Sequence, residues 1–127
     1  MRFMMVIFLH AYESGAPGTQ PQSDTADAMA QYNRSLQDAG VLLAGEGLQP
    51  PSTGARVTFH GGNPTANDGP FAGVTEVLGG FWVIDVASRQ EAIAWAKRCP
   101  GSDTDTIEIR EIIEGGFGSA HPRRSWA

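Results

Sequence analysis

The stretch FMMVIFL, residues 3–9, decides how this chain folds. Seven apolar residues follow one another with no polar position between them. A run this short reads as a strand rather than a helix, and a strand with no polar face is one buried on both sides. It is far too short to cross a membrane as a helix. With Arg2 before it, the run superficially resembles the apolar part of a secretory signal. It is at the short limit for one, and no clear A-x-A cleavage pattern follows. The expectation is a central strand of a sheet.

Outward from this strand, ESGAPGTQPQ (13–22) reads as a loop from its Gly, Pro and polar content. A helix is expected over 23–39, capped by Ser23 or Asp24, with Met29, Tyr32, Leu36 and Ala39 as its buried stripe. Gly40 suits the position just past its end. Residues 41–44 form a short apolar strand, and 56–60 with a short run near Thr65 form a hairpin around Gly61-Gly62-Asn63. Residues 81–86 are a strong strand. Ser88 and Glu91 make an S-x-x-E capping box for a second helix. In that helix Ala92, Trp95, Ala96 and Cys99 recur at packing intervals, and Pro100-Gly101 stops it. TIEIREII (106–113) alternates as a last strand. The tail GGFGSAHPRRSWA (115–127) has no periodicity and is expected to be mobile.

The order strand, helix, strand, hairpin, strand, helix, strand is α+β, a ferredoxin-like split βαβ with an added β-hairpin. Two helices cover only one face of a four-stranded sheet. The apolar strand at 3–9 then leaves a patch too large for ordinary surface. The economical cover is a second subunit, so a homodimer is expected.

The chain's 127 residues suit one domain, and its net charge is −5. No basic stripe is visible, which argues against nucleic acid and against an anionic membrane surface as partners. Cys99 is the one cysteine, so no intrachain disulfide and no cysteine-based metal site can form. That usage fits a reducing, cytoplasmic compartment.

Four segments carry a resemblance: GVLLAGEGLQPPS (40–52), NDGPFAGVTEVLGGFWVIDV (67–86), EAIAWAKRCPG (91–101) and TIEIREIIE (106–114). In register they resemble the YCII-related family, in the branch named for its DGPF motif. The resemblance covers 1–114 and leaves the tail unmatched. It implies a dimeric α/β barrel built from ferredoxin-like chains, and a mostly uncharacterised biochemical role. Some relatives resemble dehydrochlorinases or lactone-type isomerases acting on small ring compounds. Genes of the DGPF branch often lie beside sigma factors of the extracytoplasmic-function type. A shorter branch is credited with a His–Asp pair whose His lies on the first helix. That His falls near Met29 here and the Asp near Asp38, so the dyad is not carried over.

Asp68 is the first candidate for chemistry. Gly69 and Pro70 can hold it rigidly at the mouth of the next strand, as a general base or a ligand anchor. The bland alternative is an Asx-turn in which the carboxylate caps backbone N–H groups. Glu46, between Gly45 and Gly47, can be a second acid or an exposed loop acid. His10 and His60 are candidate proton carriers, though a lone His is more often structural. His121 lies in the tail. No two of these have ligand spacing within one element, so no metal and no cofactor are expected. Cys99 reads as core, and Phe71, Phe81 and Trp82 serve a pocket or the core equally well. The glycine clusters lack phosphate-loop spacing.

The leading expectation is a small enzyme-like protein that binds a polar or aromatic metabolite and performs cofactor-independent proton transfer of lyase or isomerase type. The rival is a non-catalytic ligand-binding or regulatory module.

Overall fold

The structure is a computed structural model that describes residues 1–10, 23–71 and 76–115. The expected loop at 13–22 and the expected mobility of the tail beyond Gly115 lie outside the described residues. So does the side-chain cap at Ser23 or Asp24.

The elements are β1 (Arg2–Leu9), α1 (Ser23–Asp38), β2 (Leu42–Gly47), a single 3-10 turn (Pro51–Thr53), β3 (Ala55–His60), β4 (Asn63–Asp68), β5 (Val77–Asp85), α2 (Arg89–Lys97) and β6 (Thr106–Glu111). Four strands form one sheet in the order β2-β5-β1-β6, and β3 with β4 forms a separate two-stranded ribbon. Every pairing is antiparallel. Each helix therefore joins two strands that have a third strand between them. This is the ferredoxin-like split βαβ arrangement, with the ribbon inserted between β2 and β5.

Strand β1 lies in the middle, as its unbroken apolar run requires. Its side chains alternate between two environments. Phe3, Met5 and Ile7 are buried under the helices with Trp82 and Ile84 of β5, Tyr32 and Leu36 of α1, and Ala92 of α2. Met4, Val6 and Phe8 face the other way and are only half-buried. Pairing places Val83, Phe81, Leu78 and Ala44 on that same second face. Val83, central among them, is 3% exposed, while Leu78 at the end is 45% exposed. The expectation of burial on both sides of residues 3–9 is thus met on the helical face alone within one chain.

Helix α1 buries Tyr32 and Leu36 and half-buries Met29, but Ala39 is exposed, because the helix ends at Asp38 and Gly40 turns away with φ +74°. The Ser88 hydroxyl accepts from the Glu91 backbone N–H at 3.1 Å, which sets the start of α2. The Glu91 carboxylate in turn accepts from the Ala87 N–H at 3.3 Å. Strands β2 and β5 run longer than their apolar cores, to Gly47 and from Val77, because backbone pairing continues through GEG and LGG.

The hairpin forms around the two glycines, whose φ values are +59° and +83°. A two-residue loop with both φ positive matches the twist of the flanking strands, and glycine takes it without a Cβ penalty.

Candidate functional site

One of the candidates, His10, belongs to the end of the sheet where β1 finishes and β5 begins. Antiparallel register pairs Leu9 with Val77, so the next residue on each strand, His10 and Glu76, come side by side. His10 Nε2 lies 3.5 Å from Glu76 Oε2, with the side chains 32% and 47% exposed. A carboxylate at this distance orients the ring, while solvent still reaches both groups. Such a pair can accept and return a proton. Glu76 escapes sequence reasoning. The partner depends on the register of β1 against β5, which a bulge shifts between Ile7 and Phe8.

The DGPF corner sits at the root of the hairpin. Asp68 is the last residue of β4, paired with Ala55. The Gly69 N–H donates to the Gly54 carbonyl at 2.9 Å, and the Gly69–Pro70 peptide is cis. A Cβ on Gly69 would overlap the Pro51 carbonyl, so no other residue fits there without movement. The Arg56 guanidinium lies over the Phe71 ring at 4.1 Å and closes the root of the ribbon. Gly, Pro and Phe of the motif thus have structural duties. Asp68 does not share them: its side chain is exposed, and among the described residues its carboxylate accepts no hydrogen bond. The Asx-turn reading is therefore not the reason for an aspartate at this position.

The remaining candidates lie apart. His60 is at the tip of the hairpin and Asp68 at its root, on opposite faces of the ribbon. Five positions of strand separate them, about 16 Å. Glu46 pairs with Phe81 on the open face of the sheet, several rows from His10, and is exposed. Among the described residues, no three His, Cys, Asp or Glu side chains come together as a metal site. Cys99 packs half-buried against the core. Burial, and then the Asp105 carboxylate, push its thiol up to about 11, which makes it a poor nucleophile near neutral pH. Phe81 and Trp82 are sheet residues on opposite faces, with Trp82 in the core and Phe81 on the open side.

A model of the YCII-related domain matches residues 1–115. The chain belongs to the YCII-related family. One relative is an uncharacterized protein of Rhizobium meliloti (strain 1021), to which the chain is 31% identical over 86 residues. That match spans 66% of this chain and 69% of the relative. No helix among the described residues is long and apolar enough to cross a membrane.

Proposed function

We propose that this YCII-related protein, of the DGPF branch, is a cytoplasmic homodimer that binds a small carboxylated or phenolic metabolite at the sheet end and moves a proton on it without a cofactor. The single observation that carries this reading is the His10–Glu76 contact, a proton carrier held by a carboxylate at solvent's edge. His10 is the base that takes a proton from a carbon next to a carbonyl, or returns one, and Glu76 holds the imidazolium. Five chain steps keep Phe71 within about 17 Å of Glu76, and eight keep Asp68 within about 28 Å of it. Asp68 at the hairpin root, with no hydrogen bond of its own among the described residues, is available as an anchor for a polar group of the ligand. The reaction class is that of a lyase or isomerase.

The test begins with small carboxylated and phenolic metabolites screened by thermal shift. Deuterium uptake from D2O into a bound compound is then followed by NMR. His10→Asn should keep binding and lose roughly 10² or more of the exchange rate. Glu76→Gln should lose less, because it removes the orienting charge and not the base. Unchanged exchange in His10→Asn would remove the catalytic role of the pair.

A second reading has one observation in its favour. Glu46, His60 and Asp68 stand apart in solvent, as they would in a non-catalytic binding or regulatory module. Binding without any proton exchange into the ligand is its signature.

A further inference from the structure

Strand β5 carries one residue more than the strand it pairs with. Ile7 faces Gly80, but the next residue of β1, Phe8, faces Leu78. Gly79 is the extra residue, a bulge in β5. Its effect reaches the site. Had the ladder run on in step from Ile7 and Gly80, His10 would face Val77. Glu76 would then fall one row further on and point to the helical side, because a slip of one residue reverses every side chain beyond it. With the bulge, Val77 faces Leu9 and is buried, 7% exposed. Glu76 turns to the side of His10, and the two come within 3.5 Å.

The bulge is held from both neighbouring strands. On the β1 side, a Cβ on Gly79 would lie 2.5 Å from Leu9 Cδ1 and 2.7 Å from Leu9 Cγ. The Leu9 side chain therefore occupies the space that a side chain at 79 would need. The φ of Gly79 is not positive, so space rather than backbone conformation excludes a larger residue. On the β2 side, the Leu48 N–H donates to the Gly79 carbonyl at 3.0 Å. A Cβ on Gly80 would come 2.8 Å from the Glu46 carbonyl oxygen, so β2 also lies close against the second glycine. Leu9 is partly buried against the core and directly precedes His10. A side chain at 79 must move Leu9, and with it the residue that carries the imidazole.

We infer that Gly79 is a positioning residue for the proton-transfer pair: by letting Leu9 lie across it, it fixes the bulge that sets Glu76 against His10. The inference rests on the His10–Glu76 reading proposed above and adds the residue outside the pair that aligns it.

The experiment compares the full chain with Gly79→Ala and with Gly79→Ala/Leu9→Ala. Cross-strand nuclear Overhauser contacts between residues 10 and 76 report the register without any ligand. They should be present in the parent, lost in Gly79→Ala and regained in the double variant, where the obstructing Leu9 atoms are gone. Retention of the contacts in Gly79→Ala would overturn the inference. So would a double variant that does not fold, or folds without them, since relief at Leu9 is expected to be enough. With a ligand from the thermal-shift screen, Gly79→Ala should bind as the parent does and exchange deuterium about 10² more slowly. The double variant should recover the rate. Binding and exchange that fall together would overturn the positioning role and leave a structural glycine. Full exchange in Gly79→Ala, with His10→Asn inactive, would overturn that role alone. Exchange absent from the parent would overturn the proton-transfer reading itself, while the contacts still decide whether Gly79 sets the register.

Discussion

Trp82 and Tyr32 together join the sheet to both helices, through one hydrogen bond each and an aromatic contact between them. The Trp82 Nε1–H donates to Asn33 Oδ1 at 2.7 Å, and its ring stands edge-on to Tyr32 with centroids 5.6 Å apart. The Tyr32 hydroxyl then donates to the Trp95 carbonyl of α2 at 2.7 Å. Asn33→Ala leaves the indole N–H without its partner in a buried setting, at a cost of about 1–3 kcal/mol. Thermal denaturation at fixed protein concentration checks this, and an unchanged melting temperature would contradict it. Cys99 sets a pH dependence. Below pH 9 its thiol is protonated in folded and unfolded chains alike and contributes nothing to the slope. Between its ordinary 9.0 and the folded value of about 11, the unfolded chain loses the proton while the folded one keeps it. Stability therefore falls as pH rises through that window. Burial, and then Cys99, push the Tyr32 hydroxyl upward, with Arg98 opposing, and the fall continues above pH 10. Urea midpoints from pH 8 to 11 should decline less steeply in Cys99→Ala than in the parent. Equal slopes would show that the thiol is not the group responsible.

Among the elements, the hairpin depends most on one position. Gly69→Ala forces a Cβ into the Pro51 carbonyl, which is backbone and cannot rotate away. A loss of roughly 1–3 kcal/mol is expected, with proteolytic cleavage near 50–70 as the local readout. Intact resistance to protease would mean that the corner tolerates a side chain. The elements also show what the sequence could reveal. The continuous apolar run at 3–9, the S-x-x-E box at 88–91 and the glycine pair at 61–62 each encode local geometry, and each was legible. The ends of β2 and β5 were not, because GEG and LGG pair through backbone and carry no side-chain period. The His10–Glu76 pair was half legible: the His stands out in the chain, but its carboxylate is defined by a bulged register between strands some seventy residues apart. Asp68 was legible as a motif residue, whereas its freedom from any cap needed coordinates. The exposure of Val57 and Phe59 on the hairpin was hidden for a similar reason, since they alternate like any half-buried strand.

The whole molecule has one helical face and a second face on which Val83 is buried but Met4, Val6, Phe8 and Phe81 are half-buried and Leu78 is exposed. Water on that face would leave a contiguous apolar patch across the two central strands. The homodimer proposed above would remove it. Val6→Asp places an unpaired charge in the middle of this contact and should abolish the dimer or prevent folding. The most direct measurement is the mass of the native protein by sedimentation equilibrium at low micromolar concentration. Twice the 13.5 kDa chain mass is the predicted result. A stable, non-aggregating species at the single-chain mass would contradict it, because the open face would then be ordinary solvent-exposed surface.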